Sequence, residues 1–522
     1  MFRTIRRGDF DPDSEVSDRV AAIATAFAED APARVYQPRQ VEEHQEGAAD
    51  VESSESAESA VPYAPMPRAG NMVRPLTGRY RDFDEDDAED PDTCHQCRRL
   101  YKFEVARSFW DPTSGRKDLD GLADRLEGQL QKPIGAEKPM DSALRELSES
   151  QDQLDAISFC MTHSDDELIN HRKLQLLKIK ILAKKLEPQE IKLHSSFEPW
   201  FEKVVGGKKL LLWKELLEQI SYDDMQVINF MFEGVPIVGT STCPAPFKQK
   251  VVPAVMSEDD LRSTAAFRRK VMTSSSREIP PDLQKLLSKA TGEEVDLGCL
   301  EGPLTEKEVS DFFHTDDWNC IRRFLILQGA EKKPRPIDDG HEALINNCYT
   351  SMIKLELQSS DFVTCMAKTL ARCESERSTT QGTSFRRWLG KCLDLSKAYK
   401  QLPTKKEHRS LAVVYHKSEA GEDQFFVTNS LMFGLTSAVY AFARTSRSIQ
   451  KLLSKLFMLP SSVYFDDYPM YSTEGTAEQT DLIVSEFLDI LGWSHAKTGT
   501  KAQPFSDVFS VLGMQIDLSQ IQ

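Results

Sequence analysis

The chain has 522 residues, 40% of them hydrophobic and 9% aromatic, enough for several domains with sizeable cores. A net charge of −17, from 65 Lys+Arg against 82 Asp+Glu, argues against a basic nucleic-acid coat protein. No apolar run approaches the roughly 18 residues of a membrane span, the start from Met1 to Asp9 lacks the apolar core of a secretory signal, and 10 cysteines over this length do not make a disulfide scaffold, so an intracellular setting in cytoplasm or nucleus is expected.

The acidity is concentrated near the start. Val41 to Ala60 holds seven acidic residues and no basic one, and Asp82 to Asp92 holds eight more. Pro, Ser, Ala and Glu dominate between them, so too little apolar surface is available to offset the entropy of ordering. Residues 1–98 therefore read as a disordered acidic tail. Within it, Cys94-His-Gln-Cys97 has the spacing of half a zinc site, whose other half would be Cys160 and His163; the long spacing between the halves and the disordered tail weigh against zinc.

Residues 99–195 read as helical. Ser164 with Glu167 fits a capping box. Leu174, Leu177 and Ile181 follow helical spacing, and Pro188 is expected to end the helix. The basic residues between Arg172 and Lys185 suit either phosphate contact or a solvated helix face. Residues 196–300 form a helical and linker region of unassigned role, with an apolar helix from Leu210 to Ile220. Punctuation follows at Gly234, Pro236, Pro244, Pro246 and Pro253, and a Ser-rich loop spans Thr273 to Pro281.

The stretch 301–522, with folded structure from about Leu304, has a legible order. Lys391 to Leu395 is a short strand. Leu411 to Tyr415 and Gln424 to Thr428 pair across a turn at Gly421. A long helix runs from Leu435 to about Phe457. Ser461–Phe465 and Tyr468–Tyr471 form a hairpin around Asp466 and Asp467. Thr476 with Gln479 caps a helix through Leu491, and Val508 to Ile516 is a final strand. This order is the skeleton of a split βαβ antiparallel sheet, an α+β fold.

Seven Asp-Asp pairs occur, so context must choose among them. Asp165-Asp166, Asp223-Asp224 and Asp259-Asp260 sit where aspartates start helices. Asp466-Asp467 stands at the tip of an apolar hairpin. There it is either a solvated turn or a pair of repelling carboxylates that wants a cation. Asp394 ends the short strand Cys392-Leu-Asp-Leu-Ser-Lys-Ala-Tyr399. If that strand lies beside the hairpin, the three carboxylates meet on one sheet edge. Hard oxygen ligands of this kind suit Mg²⁺, which keeps waters and accepts substrate phosphates.

These segments resemble the motifs of reverse transcriptases. Leu393 to Leu402 is similar to motif A, Phe433-Gly-Leu-Thr-Ser-Ala438 to motif B, and Tyr464-Phe-Asp-Asp467 to the Tyr-X-Asp-Asp box. Gly492 to Thr498, with Lys497, is similar to motif D, and Val511-Leu-Gly-Met-Gln-Ile516 to the primer-grip hairpin. Upstream, Lys333-Pro-Arg-Pro-Ile-Asp-Asp339 is similar to the fingers segment that holds the triphosphate. All six stand in the family's order. The style is most similar to retrotransposon enzymes, of the tyrosine-recombinase-encoding kind.

The resemblance implies right-hand polymerase fingers and palm over 301–522, and an RNA-directed DNA polymerase that adds deoxynucleotides to a primer 3′ hydroxyl. It implies two Mg²⁺ or Mn²⁺ ions, with Asp394, Asp466 and Asp467 as catalytic metal residues. Arg335 and Lys333 would hold the triphosphate. Tyr399 would be the steric gate against a ribose hydroxyl, and Phe433 and Gly434 would line the nucleotide pocket. Lys497 would be a general acid for pyrophosphate. RNA template, DNA or RNA primer, deoxynucleoside triphosphates and other parts of a retroelement polyprotein are the implied partners. The bland alternatives are a core aromatic at Tyr399, a pairing of Arg335 with Asp338 or Asp339, a surface lysine at Lys497 and plain packing at Phe433. Met432 and Val439 stand where relatives often carry proline, and Gln328 falls near the position of a second basic phosphate contact. Only 55 residues follow Asp467, which leaves no thumb. An inactive, nucleic-acid-binding retroelement fragment and an RNA-dependent RNA polymerase are the competing readings.

Overall fold

The computed structural model describes residues 139–520, apart from 246, 276–278, 329–331 and 500. The acidic tail and Cys94–Cys97 lie outside the described residues. The architecture is mixed α+β. In chain order the helices are α1 Pro139–Glu149, α2 Gln151–Thr162, α3 Asp165–His194, α4 Pro199–Val205, α5 Leu210–Gln219 and α6 Gln226–Phe232. Strands β1 Gly239–Thr240 and β2 Gln249–Val252 follow, then α7 Glu258–Ser263, α8 Ala265–Ser274 and α9 Pro281–Asp296. Next come β3 Leu300–Leu304, α10 Glu306–Phe313, β4 Cys320–Gln328, β5 Lys333–Asp338, β6 Tyr349–Ile353 and α11 Ser360–Gln381. The final set is β7 Trp388–Asp394, β8 Val413–Lys417, β9 Asp423–Thr428, α12 Thr436–Phe457, β10 Asp467–Thr473, α13 Ala477–Leu491, β11 Val508–Val511 and β12 Met514–Asp517.

Two strand assemblies frame the later half. A five-stranded sheet has the order β3-β9-β8-β4-β5. It is antiparallel except between β4 and β8. Separately, β7 pairs antiparallel with β10. The β11–β12 hairpin leans on β7, where a single bridge joins Gly390 to Ser506 and Phe509 fills the space a side chain at Gly390 would need. Helix α12 lies beneath this pair: Ser446 donates to the Phe465 carbonyl and shares a 2.6 Å hydrogen bond with the Tyr468 hydroxyl.

One hydrophobic core includes Leu176, Leu216, Val414, Leu452, Phe487 and Phe505, so segments 196–300 and 301–522 share their packing. The Trp213 and Trp493 rings meet edge to face at 5.5 Å. Buried charge also links early and late segments. Arg444 on α12 grips Asp224 through two 2.7 Å bonds. Arg172 on α3 is fully buried and bonds the Thr480 hydroxyl at 2.7 Å and the Phe457 carbonyl at 3.2 Å. It makes no ion pair among the described residues.

Several elements differ from the sequence expectations. The Ser164 capping box is present, but α3 runs through Pro188 to His194. The last turn is tied down from outside: the Glu190 carboxylate accepts from the Leu212 amide at 2.9 Å, which offsets the bond a proline removes. Leu174, Leu177 and Ile181 are exposed, and α3 instead buries Leu168, Arg172, Leu176, Ile179 and Ala183. Asp224 is an ion-pair partner and not a cap, whereas Asp165 and Asp259 do lie in first turns. The Thr476 side chain does not cap α13; it bonds Ser472 and Thr473. Only the second arm of the 461–471 hairpin is a regular strand; Ser461 and Tyr464 make isolated bridges. The stretch from Val508 to Ile516 is broken by Leu512 and Gly513, both with positive φ (51° and 75°), as a two-residue hairpin turn requires. Cys160 is buried among core side chains beside Arg172.

Candidate active site

The register of β7 against β10 decides which side chains meet. Asp467 stands directly opposite Asp394. Opposite residues of an antiparallel pair project to the same face, so these two carboxylates are neighbours. Tyr464 and Asp467 exchange backbone bonds of 2.9 and 3.0 Å, which makes Phe465-Asp466 the two-residue loop. The loop is therefore one residue earlier than the sequence suggests, and Asp467 belongs to the strand. Phe465 has a φ of 53°, a strained setting for an aromatic residue. Asp466 is held against the end of β7, because its carbonyl accepts from the Leu395 amide at 3.0 Å. On the other side, the Ala496 amide donates to the Asp394 carbonyl at 2.9 Å and the Ser396 amide to the Ser494 carbonyl at 2.9 Å. Asp394 is thus clamped between the 464–467 turn and the 494–496 segment.

Carboxylates gathered in partial burial repel one another, and Asp466 and Asp467 show it. Burial first, then Asp466 and Asp394, push the Asp467 carboxyl up to about 7. Asp466 is raised by burial and by Asp394, while Lys501 and Arg335 pull it the other way. Lys501 places its ammonium directly on the Asp394 carboxylate. Cys392, two residues before Asp394 and on the same face, donates its thiol to Asp467. Burial and the nearby carboxylates hold that thiol well above its usual range.

The other residues singled out from sequence surround this point in different ways. Tyr399 lies in a turn of 3₁₀ helix, Ala398–Gln401, and is 9% exposed. Its ring packs 4.8 Å from Phe433 and 4.9 Å from Phe442. Tyr399 is thus a core aromatic on one side, while Phe433 beside it is 40% exposed. Gly434 has a φ of 92°, and a Cβ there would lie 2.1 Å from the Asp338 carbonyl oxygen. Its glycine serves an approach to the end of β5. Asn346 fixes the same loop, donating to the Gly434 carbonyl at 2.8 Å and accepting from the Thr436 amide at 2.9 Å. Arg335 is half-buried and makes no ion pair among the described residues; its Nε is buried without a hydrogen-bond partner. Asp338 is taken by Arg323 and Asp339 accepts the His341 and Glu342 amides, so neither pairs with Arg335. Lys333 is exposed at the start of β5.

Lys497 is placed away from the acids. It pairs with Asp489 at 2.7 Å on the surface, and Lys501 is the lysine that meets Asp394. Sequence reasoning missed Lys501 because its partner Asp394 lies 107 residues away in the chain. It also missed Asn346 and Cys392, whose roles depend on contacts distant in sequence or across strands.

Among the described residues no group of three or more His, Cys, Asp or Glu side chains is placed to hold a metal ion by itself. Mg²⁺ is commonly held by one or two carboxylates together with water and substrate phosphates. Asp394 and Asp466 have that chemistry, and Asp394 already carries the Lys501 ammonium.

No family model matches the chain, and no curated protein matches it. Among solved structures, a foamy viral protease-reverse transcriptase in complex with double-stranded DNA is similar at 15% identity and a TM-score of 0.30. The match covers 46% of this chain and 35% of that one, so it spans about a third of the relative's chain. A likeness of that size carries no argument for fold or activity.

Proposed function

We propose that residues 301–522 form the fingers and palm of a right-hand polymerase that copies an RNA template by adding deoxynucleotides to a primer 3′ hydroxyl. The chain is read as part of a retroelement protein. The opposition of Asp394 and Asp467 across β7 and β10, with Asp466 in the adjoining turn, carries this reading. Two Mg²⁺ or Mn²⁺ ions bound there would stabilise the attacking and leaving oxygens of an in-line displacement. Asp394 and Asp466 would hold them, and Asp467 would supply negative field behind them.

Arg335, whose guanidinium has no carboxylate partner among the described residues and feels Asp466, suits the triphosphate. Lys333 lies on the same strand at its exposed end. Tyr399 and Phe433 would wall the sugar and base, with the Tyr399 ring fixed by Phe442 behind it. Of the two lysines near motif D, Lys501 is assigned the charge opposite the leaving pyrophosphate, since Lys497 is engaged by Asp489. Template and primer would bind through phosphate contacts and weaken with salt.

Primer extension tests the reading. Purified protein with Mg²⁺, an RNA template and a DNA primer is expected to extend with deoxynucleotides, and Asp466→Asn is expected to abolish extension. Equal extension by Asp466→Asn refutes the assigned chemistry. A preference for ribonucleotides favours an RNA polymerase, and template binding without any addition favours an inactive fragment.

A further inference from the structure

A buried cluster of four charges lies behind the proposed pocket. Arg323 on β4 holds Asp338 through bonds of 2.7 and 3.0 Å. The same guanidinium reaches Glu294 of α9 at 2.9 Å, and Glu294 also takes the Lys400 ammonium at 3.0 Å. Arg323, Asp338 and Lys400 are all buried. Burial alone would raise the Glu294 carboxyl, yet Lys400 and Arg323 together hold it down at about 2.

Each member belongs to a segment that reaches the site. Lys400 follows Tyr399 in the same short turn. Asp338 ends the strand that carries Arg335. The Asp338 carbonyl is the surface against which Gly434 packs. That strand is paired on one side only: it is the edge of its sheet, and Pro334 and Pro336 sit in the positions whose nitrogens face away from β4, so no further strand is offered donors there. A buried ion cluster stabilises a fold little better than apolar residues of the same volume. Its value here is geometric.

We infer that Glu294 is a positioning residue which, through Arg323–Asp338 on one side and Lys400 on the other, sets the strand of Arg335 at a fixed distance from the turn of Tyr399. This role rests on the proposed nucleotide site. It makes α9, which touches no reacting atom, the brace between the phosphate end and the sugar end of the pocket. Lys400 and Glu294 act as one pair, and loss of either loosens the 398–401 turn, which Gln401 still ties to Ser396 and Ser494.

The test uses the full chain and the double variant Glu294→Gln/Lys400→Met, which removes one charge of each sign and leaves Arg323–Asp338 intact. Glu294→Gln alone strands a buried ammonium and serves as the destabilised comparison. Two readouts are taken. Without nucleotide, hydrogen exchange is expected to quicken in peptides covering 398–402 and 433–436, with the thermal midpoint close to wild type. In primer extension, the deoxynucleotide KM is expected to rise about tenfold with kcat within about threefold, and discrimination against ribonucleotides to fall about tenfold. Unchanged exchange in both peptides overturns the brace. Quickened exchange with unchanged KM and discrimination reduces the cluster to fold stability and overturns the positioning role. A wild-type chain that adds no nucleotide overturns the reading of the site, and this role with it, whatever the exchange shows.

Discussion

Asp467→Asn gives a test of the electrostatics that needs no substrate. The Asp467 carboxyl is raised from 3.8 to about 7, mainly by burial and then by Asp466 and Asp394. Between those values the folded protein binds a proton that the unfolded chain has released. Stability therefore falls as pH rises through that window, and the penalty is complete above about pH 7. Three units at 1.36 kcal/mol each give an upper figure of about 4 kcal/mol. Solvent at the half-buried site screens this to about 1–2 kcal/mol. Asn is nearly isosteric, still accepts from the Cys392 thiol, and carries no charge. With EDTA present, Asp467→Asn is expected to be about 1–2 kcal/mol more stable than wild type at pH 8 and equal to it near pH 4. Urea unfolding at the two pH values measures the difference. An equal effect at both pH values, or a less stable variant at pH 8, would show that the three carboxylates do not crowd one another.

Other substitutions probe the surroundings. Lys208 is buried beside the Gln401 and Gly492 oxygens at 3.4 Å and the Trp493 ring, and burial, against a smaller opposing effect of Cys299, lowers it from 10.5 to about 8. The unfolded chain binds that proton more tightly between those values, so the penalty is full below pH 8 and fades by about pH 10. Lys208→Met is expected to add about 2 kcal/mol at pH 7 and less at pH 10 by denaturant titration. Gly434→Ala sets a Cβ against the Asp338 carbonyl at positive φ and is expected to cost about 2–4 kcal/mol, read by thermal unfolding. Lys501→Met removes the ammonium that competes for Asp394 and is expected to tighten Mn²⁺ binding two- to fivefold by paramagnetic resonance titration, with Lys497→Met without effect.

Local patterns were readable where a single segment decides its own structure. The Ser164 capping box, the long helix after Leu435, the pairing of β8 with β9 and the order of strand, helix and hairpin from 388 onward all follow from spacing and turn chemistry. The meeting of Asp394 with the 466–467 turn was expected only on the condition that the two segments pair, which their own patterns do not decide; β7 and β10 do pair. What escaped depends on distant partners. Pro188 stays helical because Glu190 finds the Leu212 amide, and the apolar run Leu174, Leu177, Ile181 faces outward because Arg172 on the other face finds hydroxyls and carbonyls some 300 residues away. Asp224 is buried because Arg444 meets it. Lys501 meets Asp394 while Lys497 is held by Asp489, a difference that spacing within the segment does not reveal.

Iron-directed cleavage tests the central geometry most directly. Fe²⁺ placed in the metal site, with ascorbate and peroxide, cuts backbone only next to the bound ion. Cuts at both 394–395 and 466–467 are expected in the wild-type chain, competed away by Mg²⁺ and both lost together in Asp394→Asn. Cleavage at one location alone, or cuts at both that survive Asp394→Asn, would contradict a cation shared between β7 and the 464–467 turn.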